Sequence, residues 1–274
     1  MRREWSLAEP APAKLNLALH VRGKLPDGRH RLETLFAFCV DGDMLYAEHS
    51  EDIMLNVVGP RAGELSATYD NPVMRAASAL RAERAPMLDG GAYLTLDKRL
   101  PVASGIGGGS ADAAATLRLL TRLWGMDPAH ASAIAPRLGA DVPACLLSMA
   151  ARGEAAGDAL TLVDDPTIIG TAVLLVNPGV QLSTRQVFAR WDGVDRGPLG
   201  EWRAGRNDLE VAARGLVPAI GDVLDWLARQ RNASFVRMSG SGATCFALFD
   251  DEDARDAAAA ACPEAWWHLA SFLR

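Results

Sequence analysis

Lysine is nearly missing from this chain. Of its 28 basic residues only Lys14, Lys24 and Lys98 are lysines. A general abundance of Ala and Arg accounts for the bias, so each surviving lysine is a candidate for the one task Arg performs poorly, that of a compact point charge. Cysteine is scarce as well. Cys39, Cys145, Cys245 and Cys262 are far apart and form no C-x-x-C, which excludes a zinc site by spacing and a disulfide framework, and leaves buried, reduced thiols as the reading. Positive charge is in deficit, with a formal net charge of −6. A general nucleic-acid binder would be basic, so a polyanionic ligand would have to be met locally by a few side chains and backbone N–H groups. No apolar run approaches the roughly 20 residues of a membrane helix; the longest lies near Ile168–Val176. The N-terminus, Met1-Arg2-Arg3-Glu4-Trp5, continues into Ala, Pro and Glu rather than an apolar stretch, which excludes a secretory signal and predicts a cytoplasmic protein without membrane partners.

What is present suffices for a substantial core. With 274 residues, 49 % hydrophobic and 23 % charged, the chain is too apolar for disorder and long enough for two domains or one large one. In residues 12–22, Leu15, Leu17, Leu19 and Val21 alternate with Lys14, Asn16, Ala18 and His20. That period predicts a half-buried strand with the polar residues on one face. Further strands are predicted over 32–40, 44–49, 53–58 and 92–96, with Asp41-Gly42-Asp43 and Ser50-Glu51-Asp52 as breaks and Pro26-Asp27-Gly28 as a turn. Asn71-Pro72 reads as cap and first residue of a helix. Helices follow over 111–124, from Asp127-Pro128 to about Gly139, and after Asp141. The second half predicts strands over 171–176, 234–238, 243–249 and 266–271, and helices over 184–191, 208–214, 218–229 and 251–261. Mixed runs without regular βαβ repetition predict two α+β lobes. The boundary falls within 150–165, giving an N-terminal lobe at 1–158 and a C-terminal lobe at 159–274.

The strongest local signal is Gly105-Ile106-Gly107-Gly108-Gly109-Ser110 running into a helix. Glycines let backbone N–H groups approach a ligand, and the helix start adds unpaired N–H groups and a positive dipole end. The combination suits phosphate; a flexible connection is the bland alternative. Ser110 would cap the helix and face a phosphate or metal ion. A Walker A loop is excluded by the absence of a lysine here, a dinucleotide fingerprint by Ser110 in the third glycine position, and a protein kinase by the lack of HRD and DFG segments. Asp141 in Gly139-Ala140-Asp141-Val142-Pro143 is an ordinary N-cap or a working carboxylate. Met238-Ser239-Gly240-Ser241-Gly242-Ala243 is a hairpin loop or a second backbone wall against phosphate. His30 follows a turn and is either solvated or a ligand contact.

Taken together with Pro12-Ala13-Lys14-Leu15-Asn16-Leu17, these segments resemble the GHMP small-molecule kinases. The strand P-A-K-x-N-L, the phosphate loop P-x-x-x-G-L-G-G-G-S-x-D-A-A at Pro101–Ala114 (with Ile106 in place of Leu), L-G-A-D-V-P at Leu138–Pro143 and M-S-G-S-G-A at Met238–Ala243 all occur in the family's order. P-G-V followed by V-F at Pro178–Phe188 also matches, and P-D-G-x-H at Pro26–His30 and N-D-L-E at Asn207–Glu210 narrow the resemblance to the branch acting on a diphosphocytidyl methylerythritol. The resemblance implies a two-lobed α+β architecture: a ribosomal-protein-S5-domain-2-like N-terminal lobe, a ferredoxin-like C-terminal lobe, and the substrate in the cleft between them. It implies ATP with Mg²⁺, and phosphorylation of the 2-hydroxyl of a cytidine-diphosphate methylerythritol, a step of non-mevalonate isoprenoid synthesis. Pro101, Val102, Ala103, Ser104, Gly105, Ile106, Gly107, Gly108, Gly109, Ser110 and Ala111 would hold the ATP phosphates, with Asn71 and Lys98 on the adenine side. Asp141 would be base or orienting acceptor, and Lys14 would neutralise the transferred phosphoryl group. Asn16, His30, Thr184 and Phe188 would line the substrate pocket, His30 bonding the cytosine edge and Phe188 stacking on it. No protein metal ligand is implied, and oligomeric state stays open. Arg29 stands where the family usually has Tyr; a guanidinium plane can stack on a base or pair with a diphosphate. The competing readings are another GHMP kinase acting on mevalonate, homoserine or a sugar, a non-catalytic nucleotide-binding regulator, and a dehydrogenase.

Overall fold

The computed structural model describes residues 7–65, 67–68, 70–84 and 90–274; Met1–Trp5, on which the absence of a leader was read, lies outside them. The chain divides into two units, each assembled from separated stretches. Unit 1 takes Met1–Ala13, Asp41–Val102 and Gly108–Leu147; unit 2 takes Lys14–Val40, Ala103–Gly107 and Ser148–Arg274. Two long strands, β1 (Leu7–Lys24) and β2 (His30–Ser50), supply residues to both.

In unit 1 the second half of β2 runs antiparallel to β4 (Gly91–Asp97), with Leu45 opposite Leu96 and Ala47 opposite Leu94. β3 (Met54–Val58) lies parallel to β4. Parallel neighbours need a crossover, and α1 (Pro72–Arg84) supplies it. Its start follows from the sequence: Asn71 Oδ1 accepts from the Val73 N–H at 2.9 Å, and Pro72 needs no N–H partner. α2 (Gly108–Leu123) packs against α1, α3 (Pro128–Leu138) and α4 (Val142–Leu147). Ala111, Ala113, Ala114 and Ala115 let its neighbours approach closely, and Leu117, Leu119 and Leu120 are buried, each contributing about 1.5–3 kcal/mol. Asp127 caps α3 through the Ala129 N–H at 2.8 Å.

In unit 2, Thr34–Phe36 of β2 pairs antiparallel with β5 (Ala151–Glu154), which pairs with β6 (Ala159–Leu162). A separate antiparallel sheet holds β7 (Ala172–Asn177), β8 (Ala233–Met238), β9 (Cys245–Phe249) and β10 (Trp267–Phe272) in the order β10-β7-β9-β8. In chain order these are its fourth, first, third and second strands, the ferredoxin-like split βαβ. α5 (Thr184–Ala189), α6 (Glu210–Leu216) and α7 (Ala219–Ala228) lie in the first crossover, α8 (Glu252–Ala260) in the second. The central strands β7 and β9 are buried throughout, apolar along their length except for Asn177, whose Nδ2 donates to Thr244 Oγ1 at 2.9 Å. Ile220, Val223 and Leu227 of α7 join Leu174, Val176 and Ala247 in the core. Among the described residues no helix is long and apolar enough to cross a membrane.

Four local expectations need correction. β1 is not half-buried: every residue from Ala11 to Val21 is buried, because its polar side chains find internal partners in place of water. Strands 32–40 and 44–49 are one continuous β2. Asp41-Gly42-Asp43 does not turn, since a Cβ on Gly42 would lie 2.1 Å from the Ala11 oxygen and Asp43 is satisfied internally (below). Ala151–Leu162, given no element from the sequence, forms the β5–β6 hairpin; its residues carry little alternation, and pairing with β2 decides their conformation. α2 begins at Gly108, so Ser110 lies inside its first turn and is not its cap.

Candidate active site

In unit 2 the glycine loop is pinned rather than flexible. Ala103 (φ 52°), Gly105 (φ 80°) and Gly107 (φ 67°) have positive φ. The intervening residues do not, an alternation that turns successive N–H groups the same way, as in anion-binding nests. The Ile106 carbonyl accepts from the Lys14 N–H at 2.9 Å, and the Ser104 carbonyl from the Thr244 N–H at 3.0 Å. The Gly105 carbonyl accepts from Ser239 Oγ at 3.1 Å. A Cβ on Gly105 would lie 2.6 Å from the Gly242 oxygen and 2.7 Å from that of Ser239, at a φ that disfavours any side chain. The Met238–Ala243 segment is therefore both a β8–β9 hairpin loop and a backbone wall against the glycine loop. Gly105→Ala is expected to destabilise the protein by about 2–4 kcal/mol, read as a lowered midpoint in thermal denaturation; an unchanged midpoint would show the two loops to be separable.

Beside that loop, Lys14 and Asn16 are buried at 3 % exposure each. Lys14 Nζ donates to Asn16 Oδ1 at 2.8 Å and lies 5.4 Å from the Phe36 ring centroid. Asn16 Nδ2 donates to Thr34 Oγ1 at 2.8 Å, and its N–H to Ser239 Oγ at 3.1 Å. The N-D-L-E segment buttresses the same region. Asn207 Nδ2 donates to the carbonyls of Met238 and Gly240, both at 2.8 Å, and Asp208 Oδ2 accepts from the Val21 N–H at 2.8 Å. His20 has a fixed tautomer: Nε2 accepts from the Arg206 N–H at 3.2 Å, so Nδ1 donates to the Gly197 carbonyl at 3.1 Å.

An aromatic cluster occupies another part of unit 2. His30, the first residue of β2, stacks on Phe188 of α5 with ring centroids 4.6 Å apart and planes inclined by 28°. Burial, aided by the Lys24 charge, lowers the His30 pKa, so the ring is neutral near pH 7 and keeps one donor and one acceptor. Trp191 meets His30 edge-on at 5.7 Å, and its buried Nε1 has no hydrogen-bond partner among the described residues. Sequence reasoning passed over Trp191, although its i+3 spacing from Phe188 could have placed both on one side of a helical turn. Thr184 opens α5, its Oγ1 2.8 Å from Ser241 Oγ. Arg29 faces solvent, donating to Asp27 at 2.8 Å and to Asp158 at 3.1 Å.

In unit 1, α2 presents the N–H groups of Gly108, Gly109 and Ser110 at its start, where no helical carbonyl can accept them. Asp141 is half-buried directly before α4, its carbonyl accepting from the Cys145 N–H at 3.0 Å. Asn71 is the buried cap of α1. Lys98 is 1 % exposed, with Nζ 2.5 Å from Asp43 Oδ2 and 2.8 Å from Asp112 Oδ2. Neither carboxylate was singled out from the sequence. Among the described residues no three or more His, Cys, Asp or Glu side chains gather as a metal site.

The description "GHMP kinases N terminal domain" matches residues 71–149, and "GHMP kinases C terminal" matches 194–267. The chain is 50 % identical to a 4-diphosphocytidyl-2-C-methyl-D-erythritol kinase of Novosphingobium aromaticivorans, over 99 % of this chain and 94 % of that one. It is 51 % identical to that of Rhizorhabdus wittichii, over 97 % and 94 %. A crystal structure of 4-(cytidine 5'-diphospho)-2C-methyl-D-erythritol kinase superposes with a TM-score of 0.83 at 32 % identity, covering 97 % of this chain and 99 % of that one. A homoserine kinase from Cytophaga hutchinsonii shares the fold at 18 % identity, with a TM-score of 0.72 over 100 % and 96 %. The α+β two-domain fold expected from the sequence is thus borne out, and the chain belongs to the GHMP kinases, within their 4-diphosphocytidyl-2-C-methyl-D-erythritol kinase branch.

Proposed function

We propose that the protein transfers the γ-phosphoryl group of ATP to the 2-hydroxyl of 4-(cytidine 5'-diphospho)-2-C-methyl-D-erythritol. The observation that carries the reading is the near-full-length identity to kinases of that name, joined to a pinned glycine loop of nest-like backbone and a buried Lys14. In this reading residues 1–158 form the ATP-binding lobe and 159–274 the C-terminal lobe, a division along the sequence that cuts across the two compact units, since 14–40, 103–107 and 148–158 belong to unit 2. Residues 101–111 hold the phosphates, with the backbone N–H groups coming from residues 103–111 because Pro101 has none and that of Val102 is given to Glu64, and Asn71 and Lys98 border the adenine side. Asp141 accepts the proton of the attacking hydroxyl; the oxygen bonds to the γ-phosphorus, the bond to the bridging oxygen breaks, and ADP leaves. Mg²⁺ would neutralise phosphate charge. Lys14 holds a fixed positive charge for the transferred group, and phosphoryl transfer needs little beyond such alignment and charge. Asn16, His30, Thr184 and Phe188 receive the acceptor, with Trp191 added to the aromatic group.

The test is ADP release from ATP with a panel of acceptors. Turnover is expected with the cytidine compound and not with mevalonate, homoserine or galactose; the reverse pattern would assign a different acceptor. Stacking on an aromatic side chain contributes about 1–3 kcal/mol per base. Phe188→Ala is therefore expected to raise KM for the cytidine substrate roughly 5- to 150-fold, with KM for ATP unchanged. Equal KM values for the cytidine substrate would place the base elsewhere.

A further inference from the structure

Asp43, Lys98 and Asp112 form a buried group that the reaction does not require as reactants. Lys98 follows β4, Asp43 lies in β2 and Asp112 in the first turns of α2. The side chains are at most 2 % exposed. Asp43 uses both oxygens: Oδ1 accepts from the N–H groups of Arg99 (2.6 Å) and Leu100 (2.8 Å), and Oδ2 from Lys98 Nζ. Lys98 Nζ also donates to Asp112 Oδ2 at 2.8 Å. Residues 101–111 thus hang between two anchors, the backbone at 99–100 and the side chain at 112, joined through one ammonium. A Cβ on Gly108 would sit 3.2 Å from Lys98 Nζ, so the ammonium lies directly beneath the first residue of α2.

The group is costly for a purely structural one. Two carboxylates share one cation, and Asp112 Oδ1 is buried without a hydrogen-bond partner among the described residues. Burial raises the Asp112 carboxyl to about 7 against the pull of the Lys98 ammonium. Packed apolar residues often serve stability as well as a buried ion pair does. What they cannot do is fix two backbone N–H groups and a helix start in register.

We infer that Asp43, Lys98 and Asp112 clamp the two ends of the phosphate loop, making Asp43 and Asp112 positioning residues for ATP. This rests on the proposed phosphoryl transfer, since misplacement by about 1 Å can cost roughly 10²-fold in rate.

Asp43→Asn keeps an acceptor for the two N–H groups and turns an amide toward Lys98. Asp112→Leu keeps the volume and removes the second anchor. In Asp43→Asn, KM for ATP is expected to rise about tenfold and kcat to fall, with KM for the acceptor within about twofold of wild type. In both variants, amide hydrogen exchange is expected to accelerate across residues 99–112 and not in β7 or β9. A lowered melting point with wild-type KM for ATP and wild-type exchange in residues 99–112 would reduce the group to core packing. Exchange needs no turnover, so it reads the clamp even if the wild-type protein proves inactive, and Asp112→Leu carries the test should Asp43→Asn fail to fold.

Discussion

Asp141→Asn is expected to lower kcat by about 10²–10⁴-fold, the usual worth of a positioned general base. The substitution is nearly isosteric. The backbone role of Asp141, whose carbonyl opens α4 by accepting from Cys145, is untouched, so folding and ATP binding are expected to persist. Steady-state rates at saturating ATP and cytidine substrate measure the loss, and nucleotide titration checks that KM for ATP stays near wild type. Because the effect is on the reacting proton, it separates Asp141 as base from Asp141 as mere helix cap: a cap lost to Asn costs almost nothing. A wild-type kcat would take Asp141 out of the reaction.

Lys14→Met is expected to cost kcat about 10²–10³-fold, comparable to removing one donor from a preorganised anion site. Methionine fills the aliphatic volume beside Phe36 but carries no charge. It also leaves Asn16 Oδ1 without its Lys14 donor, which costs about 1–3 kcal/mol for a buried acceptor. A drop in melting point should therefore accompany the loss of rate. Lys14→Arg separates the two effects. A guanidinium keeps the charge but needs more room than a side chain 3 % exposed allows, so it should restore little of the rate. Full activity in Lys14→Met would reduce Lys14 to a strand residue.

How legible these features were depends on where their partners lie in the chain. The helix starts at Pro72 and Pro128 were readable because cap and capped N–H are two residues apart, as in Asn71 with Val73 and Asp127 with Ala129. The glycine loop was readable because its composition is itself the constraint. The burial of His20 was not, since the groups that satisfy its ring, the Arg206 N–H and the Gly197 carbonyl, lie 186 and 177 residues later, and that of Lys14 and Asn16 was not, since alternation along one strand does not show that their side chains bond to each other and to Thr34 of β2. Asp43 looked like part of a turn for the same reason: its partners Lys98, Arg99 and Leu100 are more than 50 residues away. Trp191 carried only its i+3 spacing from Phe188 as a local mark; its edge-on contact with His30 and its buried indole nitrogen show only in three dimensions.

The interleaving of the two units has a consequence for how the chain reaches its native state. Unit 2 needs residues 14–40 and 103–107 together with everything from Ser148 to the last residue. On the ribosome those early segments must wait for the partners that Ser148 and later residues supply. Closing such distant loops makes folding slow, and a nascent chain halted near residue 150 would carry the Lys14 strand with neither Asn207 nor Ser239 yet made to receive it.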